Sequence, residues 1–300
     1  MARPTMPPFT ARLAAQVLAD SCQMTGMDTT DARPLRLGEN ALYYLPVEST
    51  VVRIARTMEY WADAVNEVNV ARWLAEEAFP AAQVLDIDQP VEVGGHPVTF
   101  WRYIDGRDGD RRDIGTLGTV LRRLHALPKP TAFTLPDEDI LGRVESRIEI
   151  ADVPPDDKEF LLSQLRELRS ELEPLRFPLT PAPTHGDAHS ENIMICAGVP
   201  ILIDFERFAW GQPEWDLAMT ATEYETAGWW TEEEYNSFTS AYGFDVRSWS
   251  DGYAILRRVH ELKMTTWLMQ NIGESSAIAD EFQVRMRTIR DGLKATWRPF

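Results

Sequence analysis

The residues Thr184-His185-Gly186-Asp187-Ala188-His189-Ser190-Glu191-Asn192 stand directly before two short apolar runs, Ile193-Met194-Ile195 and Ile201-Leu202-Ile203. Ala197-Gly198 turns the chain between the runs, and Asp204-Phe205-Glu206 follows the second. Asp187 and Asn192 lie five apart in a loop, and Asp204 returns on the neighbouring strand, so an antiparallel hairpin can bring the three side chains to one point. Asn192 and Asp204 would supply two hard oxygen ligands, which suits Mg²⁺, an ion that takes few protein ligands and shares phosphate oxygens. Asp187 would then be free to accept a proton from a hydroxyl and aim it at a phosphoryl group. His185, Asp187 and His189 also spell a possible zinc ligand set. That reading leaves Asn192 and Asp204 unexplained, and His96, His125 and His260 lie in unrelated texture.

The flanking elements must hold these groups in place. Residues 10–24 read as a short helix, and the stretch from Leu35 to Arg56 turns β-branched and aromatic. The pattern predicts strands over 34–37, 41–47 and 50–55, with Gly38-Glu39-Asn40 turning between the first two. A helix follows over 59–79, its apolar stripe running Ala64, Val68, Ala71, Leu74, Ala78. Strands at 91–93 and 97–103 flank Gly94-Gly95. Beyond Asp105-Gly106 the chain reads as helical over 117–124, 160–176, 213–226, 232–242, 249–271 and 277–297, interrupted by the hairpin. Thr231 and Glu234 form a capping-box signature. This order predicts an α+β fold with two lobes: a β-rich N-lobe over 1–102 and a larger, mostly helical C-lobe over 103–300.

The division of labour proposed for Asp187, Asn192 and Asp204 is that of a kinase catalytic loop. Three motifs carry a closer resemblance: His185-Gly186-Asp187 through Asn192, then Ile203-Asp204-Phe205-Glu206, then Gly211-Gln212-Pro213-Glu214-Trp215-Asp216-Leu217-Ala218. Together they resemble the aminoglycoside phosphotransferase family, which is related to choline and homoserine kinases, and the resemblance implies a protein-kinase-like bilobal fold. Leu37-Gly38-Glu39-Asn40 with Tyr43-Tyr44 resembles that family's nucleotide-covering turn. Arg102-Tyr103-Ile104 with Asp105-Gly106 resembles its interlobe hinge, and Glu67 falls where its helix glutamate falls. The resemblance implies nucleotide contacts at Gly38, Asn40, Arg102, Tyr103 and Ile104. It also implies supporting roles for His185 and His189 in the loop, and for Asp216 as a brace.

One departure stands out. Kinase-like folds set a lysine of the third strand on the nucleotide phosphates, yet the four lysines here are Lys129, Lys158, Lys263 and Lys294. Arg53, mid-strand in Val51-Val52-Arg53-Ile54-Ala55, takes that place; it keeps its charge and can bind phosphate or carboxylate in fork geometry. Glu67 lies on the apolar stripe of its helix, where a carboxylate needs a partner, and Arg53 is the natural one. An ordinary structural ion pair is the competing account.

Composition narrows the function classes. Lys plus Arg is 30 against 47 for Asp plus Glu, a net charge of −17 that repels nucleic-acid backbones. From His185 to Glu234 there are eleven acidic residues and one basic residue, Arg207, so the charge is concentrated around the loop. Glu206, Glu214 and Glu223 are candidates for holding a cationic acceptor. Trp210, Trp215, Trp229, Trp230, Trp249 and Trp267 could offer cation–π faces to a quaternary ammonium, although aromatics at helical spacing more often pack cores. Cys22 and Cys196 form no disulfide framework, and neither a secretory signal nor a membrane-length apolar run is visible.

These features lead to a cytoplasmic small-molecule kinase, monomeric or homodimeric, that uses Mg²⁺ and ATP or GTP. Its acceptor would be an aminoglycoside or another antibiotic, in a resistance role. A metabolic kinase of the choline or homoserine type is the alternative, and a nucleotide-binding pseudoenzyme is another.

Overall fold

The computed structural model describes residues 9–38 and 40–300. Glu39, at the centre of the turn expected between the first strands, and residues 1–8, the segment read for a secretory signal, lie outside the described residues. The chain forms two compact units that interleave in sequence. The first runs to Asp108 and takes in Ile193–Phe208; the second comprises Gly109–Asn192 and Ala209–Phe300.

The first unit is built on five antiparallel strands: β1 (Arg33–Leu37), β2 (Asn40–Leu45), β3 (Thr50–Ala55), β4 (Val91–Val93) and β5 (His96–Arg102). Their order is β1-β2-β3-β5-β4. Helix α1 (Ala11–Thr25) starts where the Thr10 side chain accepts the Leu13 N–H at 3.2 Å and stops at Gly26, whose φ is +73°. Its buried stripe, Ala14, Val17, Leu18 and Cys22, shares a core with Ala41, Leu45, Val52, Ile54 and Phe100. Strand side chains alternate between faces. Val52 and Ile54 fill that core, so Arg53 projects to the opposite face, where helix α2 (Trp61–Glu76) brings Glu67.

Helix α2 is shorter than its stripe suggested. Its first turn, Met58–Tyr60, is a 3₁₀ turn, and the helix ends at Glu76. Phe79 precedes Pro80, and a residue before proline is disfavoured in helical geometry, so the chain must leave the helix earlier. Ala78 takes φ +52° and is exposed, while Phe79 is buried.

The hairpin of β8 (Ile193–Cys196) and β9 (Val199–Leu202) turns through Ala197 and Gly198 at φ +49° and +82°. Two positive-φ residues give the twist that a two-residue hairpin needs. The short strand β6 (Arg107–Asp108) pairs with β8. Leu202 N–H donates to Pro80 O at 3.0 Å, and its own carbonyl accepts Ala82 N–H at 2.8 Å, which ties the hairpin into the first unit.

The second unit is mainly helical: α3 (Ile114–Leu124), α4 (Val144–Ile150), α5 (Pro155–Leu172), α6 (Pro213–Thr222), α7 (Glu232–Tyr242), α8 (Ser250–Met269) and α9 (Ser276–Asp291). Strands β7 (Ala182–Thr184) and β10 (Ala209–Gly211) pair antiparallel. Helices α3 and α7 meet backbone to backbone. A Cβ on Gly118 would stand 2.5 Å from the Phe238 carbonyl oxygen, so only glycine allows this approach. Helix α5 starts at Pro155, a proline fitted to the first turn, and ends before the expected boundary. Helix α9 stops at Asp291 rather than 297 because Gly292, at φ +70°, caps it. The last residues return as irregular chain and bury Trp297. Cys22 and Cys196 are free thiols. Among the described residues, no helix is long and apolar enough to cross a membrane.

Candidate active site

The second unit carries the polar loop between β7 and β8. Gly186 takes φ +79°, the left-handed geometry that lets the chain turn sharply just before Asp187. Asp216, in the first turn of α6, holds this turn. Its Oδ2 accepts the His185 backbone N–H and its Oδ1 accepts that of Gly186, both at 2.8 Å. The Trp215 indole N–H donates to the Gly186 carbonyl at 3.3 Å, so adjacent residues of one helix hold both faces of this turn. His125, just past α3, reaches Asp216 Oδ2 through Nε2 at 3.0 Å and Tyr242 through Nδ1 at 2.9 Å. Burial opposes ionisation of Asp216, but His125 and the donors around His185 outweigh it and keep the carboxyl below its ordinary range.

Asp187 itself is half exposed, at 49% of its side chain. Desolvation pulls its pKa up, yet His189, His185 and Lys263 prevail and hold it well below the usual carboxylate range. It is therefore ionised at neutral pH and able to accept a hydrogen bond from an incoming hydroxyl. His189 Nε2 lies 3.6 Å from Asp187 Oδ2. Burial would depress this imidazole, but Asp187, Glu223 and Glu191 push it up to about 9. A protonated ring favours Asp187 as its partner. A neutral one accepts from the Asn192 amide nitrogen 3.0 Å away.

Asn192 donates the same amide nitrogen to the Asp187 carbonyl at 2.7 Å. This fixes the amide orientation and leaves Oδ1 as the group available to a ligand. Glu223 is buried beyond α6, where the helix continues as a π turn over Glu223–Ala227 and ends at Gly228 in left-handed geometry. Its Oε2 accepts the Trp230 indole N–H at 2.8 Å. Burial pushes its carboxyl up to about 7, against the pull of Trp230 and His189. Glu214 is fully buried and accepts the Leu179 backbone N–H at 2.6 Å, making it an interior brace.

The first unit gathers a second cluster around Arg53. Nη1 lies 2.8 Å from Glu67 Oε1 and 3.5 Å from Asp204 Oδ1; Nη2 lies 2.9 Å from Glu206 Oε2. With its amide oxygen turned to the guanidinium, Asn40 accepts from Nε at 3.2 Å and from Nη2 at 2.8 Å. The pairing of Arg53 with Glu67 was legible in sequence; the contacts of Asn40 and Glu206 with Arg53 were not. Desolvation pushes the Glu67 carboxyl up to about 8, Arg53 opposing and Asp204 and Glu206 reinforcing the rise. Asp204 adopts φ +63°, a left-handed backbone that non-glycine residues rarely take, and its side chain is 42% exposed.

Gly38 donates its N–H to the Asn40 carbonyl at 3.0 Å and accepts from Arg56 Nε at 2.8 Å. Arg102 N–H donates to Gln83 O at 2.8 Å and Tyr103 N–H to Ser49 O at 2.9 Å, with the Tyr103 ring 4.2 Å from that of Tyr44. Ile104 O accepts Gly106 N–H at 3.1 Å.

Each unit holds oxygen donors of the kind a divalent cation takes: in the second the oriented amide oxygen of Asn192, in the first the exposed carboxylate of Asp204, and both are hard donors suited to Mg²⁺. Glu67, Asp204 and Glu206 each offer an oxygen within 4.8 Å of the others.

Three of the six tryptophans that could have offered a cation–π face, Trp210, Trp215 and Trp230, carry this chain's own cations. Arg111 lies 5.4 Å from the Trp230 ring centroid, Lys129 5.1 Å from Trp210 and Lys263 4.6 Å from Trp215. Much of the local acidity is also neutralised internally. Glu234 closes the capping box with Thr231 and pairs with Arg111, and Glu225 faces Arg247 and Arg257 at 3.6 and 3.5 Å.

Several solved structures share the fold. An amicoumacin kinase in complex with AMP-PNP, Ca²⁺ and its ligand aligns over 95% of this chain and 97% of that one, at 16% identity and a TM-score of 0.70. A choline/ethanolamine kinase family protein from Mesorhizobium loti aligns over 91% and 94%, at 18% identity and 0.63. Aminoglycoside phosphotransferase APH(3'')-Id from Streptomyces rimosus aligns over 82% and 98%, at 19% identity and 0.59. No curated protein matches the chain at a significant level. The sequence model of the phosphotransferase enzyme family matches residues 31–257. With that match over most of its length, and with an α+β kinase-like fold, the chain belongs to the phosphotransferase enzyme family.

Proposed function

We propose that this phosphotransferase moves the γ-phosphoryl group of ATP or GTP to a hydroxyl of a small, cationic acceptor, an aminoglycoside or other antibiotic among the candidates. The observation that carries the reading is the state of Asp187: ionised, half exposed, and mounted on a turn that Asp216 and Trp215 hold from both sides. In this role Asp187 orients the acceptor hydroxyl and takes its proton as the phosphoryl group leaves the nucleotide. Asn192 and Asp204 would hold Mg²⁺, whose charge offsets that of the phosphates. Arg53, steadied by Glu67, contributes a fixed positive charge for the nucleotide. Gly38, Asn40, Arg102, Tyr103 and Ile104 would line the nucleotide, and Glu223 the acceptor.

The similar structures include kinases of amicoumacin and of choline or ethanolamine and an aminoglycoside phosphotransferase, all named for small acceptors. The tryptophans that carry internal cations lend no support to a quaternary ammonium acceptor. An ADP- or GDP-release assay tests the proposal, run with Mg-ATP or Mg-GTP and a panel of aminoglycosides, other hydroxylated antibiotics, choline, homoserine and sugars. The expected result is turnover with one acceptor class that is lost in Asp187→Asn. Nucleotide binding without turnover across the panel would favour a pseudoenzyme instead.

A further inference from the structure

The guanidinium of Arg53 is fully engaged by its own protein. Nη1 faces Glu67 and Asp204, Nη2 faces Glu206 and Asn40, and Nε faces Asn40. Arginine has five N–H donors in a rigid fork, and here every nitrogen already faces an oxygen of the chain. A phosphate oxygen can therefore reach this cation only when one of the present partners lets go. The partners are not equally placed to do so. Glu67 is buried and close at 2.8 Å, and Glu206 lies at 2.9 Å with 19% of its side chain exposed. Asp204 is the most distant at 3.5 Å and the most exposed at 42%.

Charge points to the same partner. Glu67 is matched by Arg53 at close range, and Glu206 by Arg53 and by Arg207 Nε at 3.5 Å, so Asp204 is left with the weakest counter-charge and is the carboxylate open to a second cation. The three also offer oxygens within 4.8 Å of one another, with Arg53 already among them. We propose that Arg53 is the resident counter-ion of Asp204, and that a divalent cation at Asp204 displaces it and frees a donor of Nη1 for the nucleotide. Glu67, Glu206 and Asn40 are then positioning residues that retain the guanidinium within reach while Asp204 changes partner. A lysine, with a single ammonium nitrogen, could not span these carboxylates at once, so the exchange belongs to the arginine found here. The inference rests on the reading of Asp204 as a metal ligand.

Mn²⁺ binding to the full chain without nucleotide, read by electron paramagnetic resonance, tests it apart from turnover. Arg53→Met should bind Mn²⁺ at least fivefold tighter than the unaltered protein, because the competing cation is gone. Asp204→Ala should abolish binding in either background. If Arg53→Met fails to fold, Arg53→Gln, which removes the cation but keeps a hydrogen-bond donor for Glu67, serves the same comparison. A gain below fivefold, or no measurable binding in the Arg53 variants, overturns the exchange; loss on Asp204→Ala in the unaltered background would still leave Asp204 as a ligand. Mn²⁺ binding that survives Asp204→Ala overturns the ligand reading itself, and the exchange with it.

Discussion

His125 and Asp216 stand 91 residues apart in sequence and meet at 3.0 Å, where the imidazole and two backbone N–H groups share one buried carboxylate. Removing a buried acceptor leaves all its donors unsatisfied, which costs about 3 kcal/mol or more. Asp216→Ala should therefore lower stability by about that amount in urea melts, whereas His125→Ala, which keeps both backbone contacts, should cost less. The Asp216 carboxyl is depressed in the folded state, so its stabilisation is present above its ordinary range and lost as pH falls through the folded value. The gap between Asp216→Ala and the unaltered chain should accordingly narrow in acid. Equal losses for the two variants at neutral pH would contradict the central place given to Asp216.

Asp187→Asn keeps the shape of the loop and removes the proton acceptor. We expect kcat to fall by about a thousandfold, within the range of a lost general base, with the melting temperature nearly unchanged. Full activity in this variant would remove Asp187 from the chemistry.

For Arg53, substitution by Ala should raise the nucleotide KM by about tenfold, the scale of a lost charge-assisted hydrogen bond, while leaving the acceptor KM close to its original value. Lys restores the charge without the fork and should recover only part of the loss. Unchanged nucleotide kinetics in the Ala variant would make Arg53 purely structural.

Glu223 gives a pH signature. Its carboxyl is raised to about 7 in the folded state from an ordinary value of 4.5. A raised group stabilises fully below the unfolded pKa, and that contribution is lost as pH rises through the folded one. Glu223→Gln removes the dependence, so its melting temperature should gain on that of the unaltered chain between pH 5 and pH 8. A constant difference across this window would show that Glu223 is not held in the neutral form.

Gly118 tests the packing that supports α3. An added methyl would meet the Phe238 carbonyl, so Gly118→Ala should destabilise by about 2 kcal/mol, the scale of overpacking, despite alanine's better helix propensity. A neutral or stabilising effect in thermal melts would mean that α7 can shift away.

Legibility in the sequence followed the range of the forces involved. The alternation in β2 and β3, the Gly94-Gly95 turn and the Thr231–Glu234 box are local, and the structure has them within a residue or two of the expected bounds. The Arg53–Glu67 pair was legible because a carboxylate on an apolar stripe demands a cation. Strands β6, β7 and β10 have two or three residues, too few to show a period, and exist only through their partners. The contacts of Glu206 with Arg53 and of Glu214 with Leu179 span 153 and 35 residues, and nothing in their neighbours signals either. The π turn at Glu223 reads as ordinary helix because composition does not mark an added residue.

The hairpin of β8 and β9 belongs to the unit that begins the chain, although it is translated only after the first half of the other unit. Neither unit is thus a contiguous length of polypeptide. During synthesis the five-stranded sheet emerges before the hairpin, and the hydrogen bonds that Leu202 makes to Pro80 and Ala82, in the segment after α2, form only once the hairpin has been made. Truncation after Asp108 would strip the arginine cluster of two of its three carboxylates, while an insertion at Asn192 would fall between the loop and the hairpin. An excised first unit would need a short turn joining residue 108 to residue 193, because Asp108 already pairs with Met194 in the antiparallel ladder.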